Sequence, residues 1–265
     1  MITSDVDNFP GFPQGILGPE LMENLRKQAE RFGPEIIYDD VTGVDFRSRP
    51  FKIAAGKSTY LGNAVIIATG ANARWLNLPS ETKFKGRGVS SCATCDGFFF
   101  KDKEVVVVGG GDTAMEEASF LANITKKVTV VHRRDKLRAS QIMQDRVLMN
   151  PKIGFAWDSK IQEVLGDQKV TGVRVENLKN GREATLNADG VFVAIGYDPN
   201  TEVFKGKIEL DAKGYVVTKN ETETSVPGVF AAGDVRDYKY RQAITAAADG
   251  CKAAIDADRF LAEHQ

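Results

Sequence analysis

The sequence predicts an α/β fold built on a parallel sheet, and three observations predict it. Val105-Val106-Val107-Val108 is an apolar run without alternation, as in parallel strands covered on both faces. It runs straight into Gly109-Gly110-Gly111-Asp112-Thr113-Ala114, where a helical pattern begins. Three further strand-to-glycine segments, at 66–70, 193–196 and 230–233, repeat the theme more faintly. A chain of 265 residues allows one large domain or two medium ones.

Composition excludes several classes. Lys and Arg number 35 against 36 Asp and Glu, so there is no global basic field and nucleic acid is not an expected partner. No apolar run reaches the roughly 18 residues that span a bilayer, so no membrane partner is expected. The opening Met1-Ile2-Thr3-Ser4-Asp5-Val6-Asp7 has neither the basic nor the apolar region of a signal peptide, and a cytoplasmic protein is expected. Three cysteines, an odd count with no secretory signal, argue against a disulfide framework.

The elements follow in order. Phe9-Pro10-Gly11-Phe12-Pro13 reads as a turn, and Gly18-Pro19-Glu20 starts a helix that runs to Arg31, with Leu21, Met22, Leu25 and Ala29 at helical spacing. A short strand is expected at 35–38, an antiparallel set at 41–46, 51–54 and 58–61, and a buried strand at 64–70. A second unit begins near Gly86, with strands at 105–108 and 128–131 and helices at 113–123 and 139–148. Strands at 161–165, 170–175, 184–186 and 190–196 follow, then one at 228–234 and an Ala-rich helix at 242–261.

Gly109-x-Gly111-x-x-Ala114, between a strand and a helix, is the context a dinucleotide fingerprint requires. Gly109 permits the tight turn, Gly111 lets backbone amides approach a pyrophosphate, and Ala114 allows close helix–strand packing. The second strand decides which nucleotide. An acidic residue at its end would hold a ribose 2′-hydroxyl. His132-Arg133-Arg134 leads on to Arg138 instead, a cluster suited to a 2′-phosphate, so NADPH is expected over NADH. Cys92-Ala93-Thr94-Cys95 is a redox or a metal spacing. Zinc would need two more ligands, and neither His132 nor His264 makes a metal-binding spacing with the pair, so redox cysteines are expected and no metal. Asp96 is placed to exchange protons with the thiols. Cys251, in the Ala-rich helix, reads as a packing residue.

These motifs closely resemble those of the low-molecular-weight bacterial thioredoxin reductases, in the family's order and over essentially the whole chain. Ser91-Cys92-Ala93-Thr94-Cys95-Asp96-Gly97-Phe98-Phe99 matches the redox segment. Gly109, Gly111, Asp112, Thr113 and Ala114, with His132, Arg133, Arg134 and Arg138, match the NADPH site. Ala68-Thr69-Gly70, Gly233-Asp234 and Arg241-Gln242-Ala243 match the flavin-contacting segments.

The resemblance implies two Rossmann-like domains: an FAD domain at 1–75 and 213–265, interrupted by an NADPH domain at 76–212 that carries the cysteines. It implies electron flow from NADPH through FAD and the Cys92/Cys95 pair to the disulfide of thioredoxin. Cys95 would then lie nearest the flavin, Cys92 would attack thioredoxin, and Asp96 would be the general acid. It further implies a homodimer, and a hinge between the domains whose connections are expected near 72–79 and 214–224. Family members begin with a strand and a GxGxxG turn that cradles the ADP half of FAD. No counterpart occurs in this sequence, so the FAD domain is expected without its first βα unit. Two other readings stay open: a flavoprotein reductase of another protein disulfide, and a non-catalytic NADPH-binding protein.

Overall fold

The computed structural model describes residues 5–264. The chain divides into two compact units. One contains Ala73–Gly196 together with the residues up to Lys27, and the other contains Gln28–Asn72 and the residues from Tyr197 onward.

The first unit is built on a five-stranded, all-parallel sheet. Its order is Ile153–Ala156, Lys127–Val131, Glu104–Val108, Gly190–Val193, Val89–Ser90. The valine run explains the centre of that sheet. Val105 and Val107 face one core, with Ala114, Met115, Ala118 and Leu121 of the helix Asp112–Ile124. Val106 and Val108 face the other, with Ile161, Val164, Val173 and Val175 of an antiparallel meander, Ser159–Gly166, Val170–Asn177 and Glu183–Asn187. A strand covered on both faces needs apolar residues at every position, and full burial of each valine contributes about 1.5–3 kcal/mol. The order reverses between Glu104–Val108 and Gly190–Val193. In such sheets, ligands bind outside the carboxyl ends of the strands at that point.

Before this sheet, Asp5–Val6 pairs antiparallel with Ile16–Leu17 across the turn at 9–13, and the helix Gly18–Glu30 follows. Leu21 alone of its four spaced apolar residues is buried; Met22 is 52% exposed. The short helix Pro79–Phe84 carries a buried carboxylate. Glu81 accepts the backbone N–H groups of Leu76 at 2.8 Å and Asn77 at 2.9 Å.

The second unit contains the parallel pair Val65–Ile67 and Val229–Ala231, in register Val65↔Val229 and Ile67↔Ala231. It also holds the expected antiparallel set, Val41–Asp45, Phe51–Ala55 and Ser58–Gly62. Phe46, Phe51, Ile67, Phe204, Val229 and Ala231 share its core. The long helix Ala243–Glu263 closes the chain. Among the described residues, no helix is long and apolar enough to cross a membrane.

Asn200 ties this unit across a great length of chain. Its N–H donates to the Gly70 carbonyl at 2.9 Å and its Nδ2 to the Thr69 carbonyl at 2.9 Å. Thr69 Oγ1 donates to the Asn200 carbonyl at 2.7 Å, and Asn72 Nδ2 to Asn200 Oδ1 at 3.0 Å. These bonds explain why the chain rejoins this unit at Tyr197, ahead of the polar stretch 214–224 where the second connection was expected.

Residues 35–38 are not a strand. They run irregularly, with Ile36, Ile37 and Tyr38 exposed. An apolar run becomes a strand only where a neighbour takes up its backbone hydrogen bonds.

Candidate functional site

Each glycine of the turn after Glu104–Val108 has its own reason. Gly109 has φ +154°, and a Cβ there would meet the Ala194 carbonyl oxygen and stand 2.6 Å from Ala114 Cβ. A Cβ on Gly110 would strike the His132 ring. Gly111, the N-cap of the helix Asp112–Ile124, has open space where its Cβ would be. An unobstructed helix N-terminus with exposed amides is a ready anion site. Asp112 turns sideways: its Oδ1 accepts both Ser140 N–H and Ser140 Oγ–H at 2.8 Å. Thr113 is half-buried and Ala114 fully buried.

The basic segment is folded back onto this turn. The N–H groups of Arg138 and Ala139 both donate to the Gly110 carbonyl, at 2.7 and 3.1 Å. Arg133, Arg134 and Arg138 are exposed. His132 is not: it is 5% exposed, edge-on to Trp157, with Nε2 3.0 Å from the Lys136 carbonyl. Burial, helped by the charges of Arg138 and Arg134, pushes its pKa down, so it is a neutral donor at pH 7. The histidine supports the loop from beneath while the arginines face solvent.

Cys92 and Cys95 form a disulfide with Cα atoms 5.3 Å apart. Cys92 is the N-cap of the one-turn helix Ala93–Asp96, and its N–H donates to Ser90 Oγ at 3.0 Å. Thr94 Oγ1 lies 3.4 Å from Cys92 Sγ; with the sulfur in a disulfide, the hydroxyl is the donor. Asp96 N–H donates to the Cys92 carbonyl at 3.1 Å. Both cysteines and Asp96 are half-buried, and exposed Phe98 and Phe99 follow. A Cβ on Gly97 would stand 3.1 Å from Phe120 and Leu121, so the redox segment packs near the far end of the helix that Gly111 caps. Leu121 is nine residues beyond Asp112, about 13 Å along the axis.

The other expected segments meet in the second unit. The parallel strands Val65–Ile67 and Val229–Ala231 end together, so Ala68-Thr69-Gly70 and Gly233-Asp234 leave the sheet side by side. Ala232 N–H donates to the Ile67 carbonyl at 2.9 Å. Gly70 has φ +71° with open space at its Cβ position. Arg241, at φ +50°, stacks its guanidinium 4.0 Å over the Tyr197 ring. Gln242 caps the helix that starts at Ala243, in a reciprocal capping box with Thr245. Asp234 is half-buried, and its pKa is pushed up to about 6. Burial is the main cause and Asp237 adds to it; Arg241 opposes, and Asp249 adds a smaller push.

Sequence reasoning missed Asp249 and Arg236. Asp249 Oδ2 accepts the Gly233 N–H at 3.2 Å and pairs with Arg236 Nη1 at 2.6 Å, holding the turn that presents Asp234. The sequence carried no clear signal for either, because an Ala-rich helix does not show which of its faces is buried. Cys251 is corrected: it is a free, exposed thiol. Asp249, Ala253 and Ala257 mark the buried face, and a residue two positions from Asp249 is rotated about 200° away from it.

The pyridine nucleotide-disulphide oxidoreductase family model matches residues 2–250. A thioredoxin reductase of Streptomyces clavuligerus is 56% identical over 264 residues, covering 99% of this chain and 82% of its own length. One from Rickettsia felis is 52% identical, covering 98% and 86%. Among solved structures, the thioredoxin reductase from Giardia duodenalis superposes with a TM-score of 0.94 at 50% identity, covering 98% of this chain and 86% of that one.

Proposed function

Since the chain belongs to the thioredoxin reductases of the pyridine nucleotide-disulphide oxidoreductase family, we propose that it uses NADPH to reduce the disulfide of thioredoxin through Cys92 and Cys95. The observation that carries this reading is the placement of the Cys92–Cys95 disulfide on a segment packed against the very helix whose N-terminus bears Gly109-Gly110-Gly111.

The residues present fit NADPH and the ribityl and ring portion of FAD. The open space at Gly111 suits a pyrophosphate, and exposed Arg133, Arg134 and Arg138 suit a 2′-phosphate. Asp234 suits the hydroxyls of a flavin's ribityl chain, because donors from a polyol would relieve a carboxylate that burial disfavours. Ala68-Thr69-Gly70 and Arg241-Gln242-Ala243 would flank that chain and its ring. When bound, NADPH supplies an electron pair as hydride and FAD relays it.

The cysteines do the rest. Two electrons and two protons convert the Cys92–Cys95 disulfide to a dithiol. Cys92 Sγ, as thiolate, attacks one sulfur of thioredoxin's disulfide and breaks the S–S bond. Asp96 passes the proton that Cys92 gave up to the departing sulfur. Cys95 Sγ then gives up its own proton and attacks Cys92 Sγ of the mixed disulfide. The second thioredoxin sulfur leaves as a thiolate and takes up that proton, so reduced thioredoxin departs as a dithiol and the Cys92–Cys95 bond is restored. Thr94 Oγ1 stabilises Cys92 Sγ by donation. With the family resemblance, the reading carries a cytoplasmic homodimer.

The test incubates the chain with FAD, NADPH and oxidised thioredoxin and titrates new thiols. Two thiols on thioredoxin per NADPH consumed is the expected result. NADPH consumption without thiols would overturn the reading, and thiols on other disulfide proteins but not thioredoxin would redirect it.

A further inference from the structure

The basic segment 132–138 contains one acidic residue, Asp135. A carboxylate beyond the second strand of such a sheet can take a ribose 2′-hydroxyl, and it repels a 2′-phosphate. Asp135 is occupied. Lys179, from the turn between Val170–Asn177 and Glu183–Asn187, places its Nζ 3.3 Å from Asp135 Oδ2 and 2.9 Å from Asp158 Oδ2.

The lysine's position is itself built. Asn177 Oδ1 accepts the N–H groups of Lys179 at 3.1 Å and Asn180 at 3.2 Å. Leu178 N–H donates to the Asp158 carbonyl at 2.6 Å, and Asp158 N–H to the Arg134 carbonyl at 3.2 Å. Turn, Asp158 and arginine loop thus form one hydrogen-bonded frame. Asp158, only 16% exposed, anchors the ammonium, which leaves it free to reach Asp135 as well.

We propose that Lys179 is a positioning residue for cofactor choice: it engages Asp135 so that Arg133, Arg134 and Arg138 meet a 2′-phosphate without a competing carboxylate. The inference rests on the NADPH reading above. The same contact lowers the Asp135 pKa.

The test titrates NADPH and NADH separately, at low ionic strength, into the unaltered chain, K179A, K179R and K179A/D135N, and compares the affinity ratios. K179A should lower the NADPH:NADH ratio by about threefold to fivefold, the upper range for an exposed ion pair. K179R should keep the ratio, and adding D135N to K179A should restore it. An unchanged ratio in K179A, or a fall that D135N does not restore, would overturn the inference while the NADPH reading stands. Equal binding of both dinucleotides by the unaltered chain would overturn both.

Discussion

The backbone N–H of Arg138 donates to the carbonyl oxygen of Gly110 at 2.7 Å. The turn suited to a pyrophosphate and the loop suited to a 2′-phosphate are therefore held directly together by backbone hydrogen bonding. Replacing Arg133 and Arg134 by Ala should weaken NADPH much more than NADH, by about 1.5–3 kcal/mol per lost contact. Calorimetric titration of both dinucleotides checks this, and equal weakening would place the 2′-phosphate elsewhere.

Two neighbouring glycines should behave differently. Gly110→Ala forces a methyl into the buried His132 ring and should lower stability by about 1–3 kcal/mol. Gly111→Ala meets open space, so it should lose only about 0.5–1 kcal/mol, through the poorer N-cap, yet bind NADPH poorly, because the methyl fills the anion cradle. Thermal melts paired with titrations separate the two effects.

Cys92→Ser or Cys95→Ser should abolish thioredoxin reduction and leave NADPH affinity unchanged. Cys251→Ser should leave turnover intact. In the oxidised chain, Cys251 should be the thiol that a maleimide labels, since it is exposed and the other two are bonded. Mass spectrometry of the labelled peptide checks the site.

Asp234 gives a pH dependence of definite sign. Its folded pKa of about 6 lies above the ordinary 3.8, so between those values the folded chain holds a proton that the unfolded chain releases. Stability should therefore fall as pH rises from about 4 through 6, by roughly 1–2 kcal/mol once solvent screening of this partly exposed group is allowed for. Asp234→Asn should remove that slope in the flavin-free chain. Denaturant melts at pH 4.5, 6 and 7.5 test it; parallel curves for the two proteins would contradict it.

Glu81→Gln keeps the size and removes the charge that two backbone N–H groups share. Hydrogen bonds to charged groups contribute about 1.5–3 kcal/mol each, so a clear loss of stability is expected with NADPH affinity unchanged. A melt within experimental error of the parent would show that the neutral amide serves equally well.

Much of this was legible in the chain itself, and the reasons are local. The valine run, the glycine turn and the helix after it are contiguous, so Gly109, Gly111 and Ala114 could be read directly. The Cys92/Cys95 spacing is likewise self-contained. Legibility fails where a residue's role depends on which way it faces or on distant chain. His132 adjoins two arginines in sequence, but pleating at the strand end turns it inward beneath Gly110. Lys179 serves the arginine loop from a hairpin 44 residues beyond Asp135. Cys251 was misread because an alanine-rich helix hides its apolar face: only the burial of Asp249, Ala253 and Ala257 fixes the phase. The run Ile36-Ile37-Tyr38 has strand composition but not strand structure.

The Asn200 clasp also has a meaning in polymer statistics. Asn72 and Asn200 are 128 residues apart along the chain. Joining ends that far apart carries a length-dependent entropy cost of about 4 kcal/mol, and four ordinary hydrogen bonds contribute net stabilisation of similar size. Because that cost grows only with the logarithm of contour length, doubling the intervening chain adds about 0.6 kcal/mol. The clasp thus works as a socket: what is spliced between Asn72 and Asn200 can lengthen, shorten or be exchanged with little thermodynamic consequence for the unit that holds its two ends.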